Sequence, residues 1–258
     1  MVVEALIFAA GQGRRLRPLT DDVPKALVDV NGKTALARVF EALAGAGAGH
    51  IVVNAHHHAE LVERAALELE RPDVRVTVSR EDRVSEAPLE TGGGLAHARE
   101  CLEAGGPIIL HNADILTDLD LRVLRDAHLE GERSDGRLAT LVVTRRETSR
   151  PLRADRVGVY ARVNRSEGWE VVARHPSDGE TREVGFAGVH VLSPAILRHF
   201  QRPGTYSIID VYMQLVARGR VIACHDATDS MWHDIGTPER LEAARAALRD
   251  SEGDGDGH

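Results

Sequence analysis

A basic, glycine-containing segment follows the first apolar run of the chain and has the composition of a polyphosphate-binding loop. This basic segment extends from Gly11 to Thr20 with the sequence G-Q-G-R-R-L-R-P-L-T, and Lys25 and Lys33 add positive charge beyond it. Glycines let backbone N–H groups approach phosphate oxygens closely, and arginines supply further donors and charge. A tight turn with solvated arginines is the competing interpretation, because G-x-G after a strand is a weak signal by itself.

Two familiar phosphate-binding motifs do not fit this segment. The dinucleotide-binding pattern G-x-G-x-x-G fails because Leu16 stands at its third glycine. The second predicted strand also ends at Asn54 and not at an acidic residue. The sequence G-K-T at 32–34 could end a Walker A motif, but Leu27 stands at the required earlier glycine. The sequence therefore predicts neither a nicotinamide dehydrogenase nor a P-loop protein.

Three further polar sites follow later in the chain. The stretch L-E-T-G-G-G at 89–94 could expose backbone donors and acceptors to the edge of a base, or Thr91 could simply cap a helix. Asp114 follows a predicted buried strand, where a lone aspartate commonly caps a turn. Asp234 lies within W-H-D-I-G-T-P-E at 232–239, whose T-P pair also suits the start of a helix. None of the three sites is specific alone.

Strands and helices alternate in the part of the chain that contains most of these residues. The apolar run Val2–Ala10, broken only by Glu4, predicts a buried parallel strand. Further strands are predicted at 51–54, 74–79, 108–111 and 138–144, and helices at 36–43, 59–69, 94–102 and 120–130. The alternation predicts a Rossmann-like α/β fold, with a mostly parallel sheet covered by helices on both faces. Ligands bind outside the carboxyl ends of such strands, where the basic segment begins.

The pattern changes after Arg145. Strands without intervening helices indicate a small antiparallel extension over about residues 146–220. These strands are predicted at 157–163, 169–173 and 184–192, and helices follow at 194–200, 208–217 and 238–248. We expect a single domain over 1–248. The remaining residues, 249–258, are rich in Gly and Asp and are predicted to be a disordered tail.

The composition limits the possible partners. A length of 258 residues and a hydrophobic fraction of 43% suffice for a sizeable core. The net charge of -8 argues against a general nucleic-acid binder, although positive charge concentrated in one segment could still bind a small anion. No stretch reaches the roughly 18 apolar residues of a membrane span, so no membrane partner is predicted. The N-terminus lacks the basic region of a signal peptide, and a cytoplasmic location is expected.

Taken together, the motifs resemble those of the sugar-phosphate nucleotidyltransferases. The sequence A-A-G-x-G-x-R-L-x-P-L-T at 9–20, followed by P-K at 24–25, is similar to the family signature. The stretch at 89–94 resembles the base-recognition turn of the short N-acetylmuramate-1-phosphate uridylyltransferases. Residues 232–239 resemble the closing motif W-x-D-(I/V)-G-T-P-E. Mannose-1-phosphate guanylyltransferases are further members of this family.

The resemblance implies the fold of the nucleotide-diphospho-sugar transferases and their reaction. A sugar 1-phosphate attacks the α-phosphorus of an NTP in line, forming an NDP-sugar and releasing pyrophosphate. The resemblance also implies Mg²⁺ as the cofactor, with Asp114 and Asp234 as its ligands, and favours UTP or GTP. The first half of the domain, about 1–145, would bind the nucleotide, the extension the sugar, and the motif at 231–239 the metal. A monomer or a homodimer is expected.

The resemblance assigns roles to individual residues. Arg15 would hold the triphosphate and Lys25 would neutralise charge at the α-phosphate, so both are expected to be catalytic, together with Asp114. The expected nucleotide-binding residues are Ala10, Gly11, Gly13, Arg14, Glu90, Thr91, Gly92 and Gly93. The expected sugar-binding residues are Asn112, Arg150 and Gly188.

The sequence departs from the family pattern in two places. Ala113 replaces the glycine that usually precedes the metal-binding aspartate. Many members carry an E-K-P element whose lysine grips the sugar phosphate, whereas the nearest stretch here is A-R-H-P at 173–176. Arg174, His175 or Arg150 could substitute for that lysine, so the acceptor is not fixed by the sequence.

Two other functions remain open at this point. A cytidylyltransferase for a non-sugar phosphate such as phosphocholine would need aromatic or acidic groups around the cation, for which Tyr160, Trp169 and Trp232 are available. A non-catalytic module that binds nucleotide-sugars would not need to keep Arg15, Lys25 and both aspartates. Release of pyrophosphate distinguishes an enzyme from such a module.

Overall fold

A computed structural model describes residues 2–177, 179–200 and 204–253 of the protein, with 250–253 described by their backbone only. Its strands are β1 (Val3–Phe8), β2 (Asp29–Val30), β3 (Lys33–Thr34), β4 (Ala48–Ala55), β5 (Arg75–Arg80), β6 (Ile108–Asn112), β7 (Ile115–Thr117), β8 (Ala139–Thr144), β9 (Leu152–Ala154), β10 (Val159–Asn164), β11 (Trp169–Val172), β12 (Arg182–Leu192), β13 (Ile222–Asp226) and β14 (Trp232–Asp234). Its α-helices are α1 (Ala35–Gly45), α2 (Ala59–Leu67), α3 (Glu90–Ala98), α4 (Leu121–Asp135), α5 (Ile208–Ala217) and α6 (Pro238–Gly253). Short 3₁₀ turns lie at Arg14–Leu16, Lys25–Leu27, Glu81–Arg83, Arg99–Cys101 and Pro194–His199.

A ten-stranded mixed sheet forms the centre of the fold. β1 pairs in parallel with β4 and β6, and β4 pairs in parallel with β5, so the carboxyl ends of these strands share one edge. β12 pairs antiparallel with β6, β8 and β9, and β10 and β11 continue the sheet into the extension. The predicted α/β sheet with a small antiparallel extension is therefore confirmed.

Helices cover both faces of the sheet, and the side chains of β1 therefore alternate between two cores. Ala5 and Ile7 belong to a core shared with α1 and α2, whereas Leu6 belongs to a core shared with α3 and α5. Glu4 is the polar exception. Its buried carboxylate accepts hydrogen bonds from the N–H groups of Glu103 and Ala104 at 2.9 and 2.7 Å. Burial on both faces explains why the first predicted strand is otherwise apolar throughout.

A third, smaller core connects the basic segment to the end of the chain. Leu16 is fully buried and belongs to this core with Val30, Ile235 and Leu241. Ile235 directly follows β14, which pairs antiparallel with β7, and Leu241 lies on α6. The beginning and the end of the sequence therefore meet near the carboxyl ends of β1 and β6.

The observed elements differ from the predicted ones in three places. α3 begins at Glu90 and not at Gly94, so 92–94 lie inside the helix. The short strands β2, β3, β7, β9, β13 and β14 go unpredicted, because runs of this length carry little periodicity. α6 continues to Gly253, so the predicted disordered tail is wrong for 249–253, and residues 254–258 lie outside the described part. Within the described ranges, no helix combines the length and the apolar character that crossing a bilayer requires.

Candidate active site

The basic segment forms a folded turn at the carboxyl end of β1. Gly13 has a left-handed φ of 62°, which favours glycine, and its carbonyl accepts hydrogen bonds from Thr20 Oγ1 and the Leu16 N–H, both at 2.8 Å. Arg14 and Arg15 begin the 3₁₀ turn that follows, and both are exposed. The buried Leu16 anchors the turn, while its two arginines remain available to a ligand.

Lys25 and Asp114 form an ion pair although they are far apart in the sequence. Lys25 begins the second 3₁₀ turn, and Asp114 lies between β6 and β7. The lysine side chain is 12% exposed and the aspartate side chain 31%, so the pair is partly shielded from water. Gly13 lies against this lysine, because a Cβ added to Gly13 would be 3.1 Å from Lys25 Cβ. The fold thus brings together two of the three residues that the sequence predicts to be catalytic.

The two predicted metal ligands lie on adjoining stretches of backbone. β14 pairs with β7, and the N–H of Ile235 donates to the carbonyl of Asp114 at 3.0 Å. Asp234 Oδ1 accepts a hydrogen bond from the N–H of Gly236 at 2.8 Å, and Oδ2 pairs with Arg240. Each predicted ligand is therefore balanced by one basic side chain, Lys25 for Asp114 and Arg240 for Asp234.

Arg15, the third predicted catalytic residue, lies beside the turn that follows Asp234. A Cβ added to Gly236 would be 2.8 Å from Arg15 Nη2 and 2.6 Å from Asp234 Oδ1. A larger residue at 236 would displace one of these two groups. The basic segment and the closing motif therefore contribute neighbouring charges to one site.

The donor set of the two aspartates suits a divalent cation. Mg²⁺ takes oxygen ligands, usually one or two carboxylates, and keeps substrate phosphates and water in its shell. The side chains of Asp114 and Asp234 are 31% and 16% exposed, so both keep some access to the site. In the part of the chain that the structure describes, no group of three or more His, Cys, Asp or Glu side chains could hold a metal. The donors fit an ion that protein and substrate hold jointly.

A pocket of about 220 Å³ opens beside the Lys25–Asp114 pair. Asp114 lines this pocket together with four of the predicted nucleotide-binding residues, Ala10, Gly11, Glu90 and Thr91. A Cβ added to Gly11 would meet nothing within 4 Å, so the backbone there is open to a ligand. We call this the first pocket.

Gly92 and Gly93, which the sequence predicts to bind the nucleotide, do not line the first pocket. Their N–H groups both donate to the carbonyl of Tyr206, at 2.9 and 3.3 Å. A Cβ on Gly92 would be 2.5 Å from the Tyr206 ring, and a Cβ on Gly93 would be 2.0 Å from the Gly204 carbonyl oxygen. These glycines let α3 pack closely on the segment before α5, and their donors are already used.

A buried polar cluster behind the first pocket is missing from the sequence-based predictions. Asn54 Nδ2 at the end of β4 donates to the carboxylate of Glu81, whose other oxygen accepts from the N–H of Leu89 at 3.0 Å. Burial raises the pKa of Glu81. Asn54 lines the pocket, and its buried Oδ1 has no partner among the described residues. The only sequence signal for this cluster is a polar residue, Asn54, at the end of an apolar strand.

The predicted sugar-binding residues fall in two neighbouring places. Asn112 lines the first pocket, and Gly188 lies next to it, because a Cβ added there would be 2.8 Å from Asn112 Nδ2. β12 changes register around Gly188, as β-bulges near active sites often do. Arg150 is exposed and lines a second pocket of about 430 Å³. Glu90 lines both pockets and marks where they meet.

Arg174, one candidate for the missing lysine, has a structural partner. Its Nη1 and Nη2 donate to the two carboxylate oxygens of Asp155, at 2.6 and 2.7 Å. The side chain of Asp155 is only 1% exposed, and the guanidinium holds the pKa of this carboxyl well below its usual range. His175, another candidate, is exposed and lines neither pocket. Of the three candidates, only Arg150 lies in a pocket of the site.

Comparisons of the sequence and comparisons of the fold with known proteins both find nucleotidyltransferases. The sequence profile of the nucleotidyl transferase family matches residues 4–251. An N-acetylmuramate alpha-1-phosphate uridylyltransferase of Caulobacter vibrioides is 32% identical over 252 residues, which cover 96% of this chain and 97% of that protein. A UDP-glucose pyrophosphorylase structure from Acinetobacter baumanii superimposes with a TM-score of 0.73, covering 95% of this chain and 92% of that chain. Because the two sequences are only 16% identical, this superposition supports the fold alone.

A longer relative gives a partial match. The catalytic subunit beta of a mannose-1-phosphate guanylyltransferase of Xenopus tropicalis is 30% identical over 239 residues. The match covers 92% of this chain but only 62% of that protein. The chain therefore spans somewhat under two thirds of the length of this relative.

Proposed function

The chain belongs to the nucleotidyl transferase family, and from this premise we propose that it transfers the nucleotidyl group of an NTP to a sugar 1-phosphate. The products are an NDP-sugar and pyrophosphate. The structural observation that carries the proposal is the Lys25–Asp114 pair beside the first pocket, with the backbone next to Asp234 bonded to that of Asp114. Basic side chains and carboxylates thus converge where an NTP and a metal ion would have to meet.

The chain's own residues would supply charge neutralisation and alignment. The reaction brings two anions together, so positive charge fixed near the α-phosphate lowers the barrier. We assign this role to Lys25, and we assign the triphosphate and the departing pyrophosphate to Arg15. No general base is needed, because a sugar phosphate is already ionised at neutral pH.

We further propose that Asp114 and Asp234 hold a divalent cation, with Mg²⁺ as the specific ion. When it is bound, such an ion neutralises phosphate charge during an in-line displacement. The support for this assignment is the oxygen donor set and the remaining exposure of both side chains. EDTA should abolish turnover, and added Mg²⁺ should restore it.

UTP is the nucleotide that we favour, with GTP as the next candidate. The uridylyltransferase of Caulobacter vibrioides matches this chain over almost its whole length, whereas the guanylyltransferase of Xenopus tropicalis has a further 38% that the chain does not cover (100% minus 62%). The L-E-T-G-G-G stretch at 89–94 also resembles that of the short uridylyltransferases. A monomer or homodimer and a cytoplasmic location stay predictions.

A pyrophosphate-release screen tests the proposal. Four NTPs are crossed with N-acetylmuramate 1-phosphate, mannose 1-phosphate, glucose 1-phosphate and phosphocholine, with Mg²⁺ or with EDTA. We expect Mg²⁺-dependent release that requires both an NTP and a sugar 1-phosphate, and that is fastest with UTP. Release with CTP and phosphocholine alone would favour the cytidylyltransferase instead. Tight NTP binding without pyrophosphate release in any combination would favour a non-catalytic binding module.

A further inference from the structure

Arg146 is a partly buried cation that lies outside the motifs carrying the family resemblance, in an arginine-rich stretch at 145–153 that the sequence leaves open as either a phosphate contact or a solvated loop. It follows β8, and its guanidinium carbon lies 4.1 Å from the centroid of the Trp232 ring. Its Nη2 donates to the carbonyl of Phe186 at 2.5 Å. Gly185 provides the space for its stem, because a Cβ added there would be 3.0 Å from Arg146 Cγ. The side chain is therefore held in one place by an aromatic face, a carbonyl and a glycine.

The charge of Arg146 has no carboxylate partner within ion-pair distance among the described residues. Its Nε is buried and makes no hydrogen bond there. Burial lowers the pKa of Arg146, and the nearby Asp234 carboxylate opposes that shift while Arg240 adds to it. A partly desolvated cation with an unused donor is costly unless an anion completes its contacts. This position therefore suits an anionic ligand.

The location of Arg146 indicates which anionic group of a substrate it could contact. The side chain lines the second pocket, with Thr148 and Arg150, and this pocket meets the first one at Glu90. Trp232 and Asp234 are two residues apart on β14, so their side chains leave the strand on the same side. Arg146, stacked on Trp232, therefore lies at the wall of the second pocket, next to the strand that carries the Asp234 carboxylate.

The residues that hold Arg146 in place also contact the backbone next to the predicted sugar-binding residues. Trp232 Nε1 donates to the carbonyl of Ala187 at 2.8 Å, which fixes the ring under the guanidinium. Ala187 precedes Gly188, which lies against the amide of Asn112 in the first pocket. The planar guanidinium can offer parallel N–H donors to a phosphate.

We propose that Arg146 binds the phosphate of the sugar 1-phosphate and holds it between the second pocket and Asp234. The inference rests on the proposed function, and it assigns the grip on the acceptor to a residue outside the A-R-H-P stretch at 173–176. Arg174 is excluded by its bidentate pair with Asp155. Arg150 is exposed at the pocket wall and stays an auxiliary contact.

The test compares Arg146→Met and Arg146→Lys with wild type, and uses Arg145→Met as the matched control. Arg145 is the neighbouring arginine, but its side chain is 68% exposed and lies 3.7 Å from Asp226. We expect Arg146→Met to raise the KM for the sugar 1-phosphate by about 10- to 100-fold, because a charged hydrogen-bonding group is lost. The KM for the NTP should stay within about twofold. Arg146→Lys should recover part of the loss, and Arg145→Met should match wild type.

A binding measurement separates this inference from the proposed function. Isothermal titration calorimetry measures the binding of N-acetylmuramate 1-phosphate, mannose 1-phosphate and the two free sugars. Each ligand is titrated into wild type and into Arg146→Met. Weaker binding of the phosphates alone supports the inference, even if wild type turns over no substrate and the proposed function fails. Unchanged phosphate binding or unchanged KM would overturn it. An equal rise of both KM values together with a lower Tm would also overturn it, because that result indicates a purely structural role.

Discussion

Gly11, in the glycine segment after β1, has open space beside its backbone, whereas Gly92 and Gly93, in the glycine segment at the start of α3, are packed against another part of the chain. A Cβ added to Gly11 would meet nothing within 4 Å, but one added to Gly93 would be 2.0 Å from the Gly204 carbonyl oxygen. The N–H groups of Gly92 and Gly93 also already donate to the carbonyl of Tyr206. Glycine creates room for close approach, and the fold decides whether a ligand or the protein itself uses that room.

The charged neighbours distinguish the two segments more clearly than the glycines do. Lys25 and Asp114 lie next to the first segment, and Arg15 belongs to it. The second segment contributes only Glu90 and Thr91 to the first pocket, and its glycines face α5 and the residues before it. The first segment should therefore govern activity, and the glycines of the second should govern stability.

The largest effect is expected from Asp114→Asn. Removing this carboxylate should lower kcat by about 10³-fold, because the proposed metal site and the partner of Lys25 are both lost. Tm should change little, since the side chain is 31% exposed. Steady-state pyrophosphate release and thermal unfolding measure the two quantities. Asp126→Asn is the control, since Asp126 is 63% exposed and pairs with the adjacent Arg125. Near wild-type turnover by Asp114→Asn with Mg²⁺ would contradict the metal assignment.

Lys25→Ala should have the next largest effect on turnover. Losing the cation at the α-phosphate should lower kcat by about 10²-fold, with a smaller change in the KM for the NTP. The chain has only one other lysine, Lys33, which forms an exposed ion pair with Glu41 and provides the control variant Lys33→Ala. Initial rates over a range of NTP concentrations test this. A rise in KM with unchanged kcat would mean that Lys25 only binds the nucleotide.

Gly93→Ala should act on stability. The added Cβ would collide with a backbone carbonyl, and overpacking of this kind costs about 3 kcal/mol of unfolding free energy. Urea denaturation measures this cost, and Gly45→Ala is the control, because a Cβ at Gly45 in α1 would meet nothing within 4 Å. Activity per folded molecule should stay near that of wild type. A fully stable Gly93→Ala variant with a raised KM for the NTP would instead support the predicted role of this segment in binding the base.

Gly11→Ala should give the smallest effect. It should change the binding of the NTP and leave stability unchanged. The methyl group meets no protein atom, so the free energy of unfolding should change by less than about 0.5 kcal/mol. It would occupy space beside the first pocket, and we expect the KM for the NTP to rise by about threefold to tenfold, which corresponds to roughly 1 kcal/mol. Gly105→Ala, also free of neighbours within 4 Å, is the control. An unchanged KM would show that the NTP does not approach this glycine.

The alternation of strand and helix was enough to predict the architecture, because burial on one or both faces leaves a periodic pattern in the residues themselves. The apolar run around β1 and the helix Ile208–Ala217 are recovered closely in this way. The short strands β7 and β14 are not, although their pairing holds Ile235 against Asp114. Three-residue strands are defined by their partners, and a partner more than 100 residues away leaves no local signal.

The sequence by itself determined the fold class, the family resemblance and the charged residues of the candidate site, since these depend on local pattern and on motifs. Only the tertiary structure decided how the remaining groups are used. Arg174 lies in the stretch that replaces the E-K-P element but is paired with Asp155, whereas Arg146 lies outside the family motifs and lines a pocket. The physical reason is that the availability of a charge or of a backbone donor depends on what packs against it, and residues distant in sequence supply that packing.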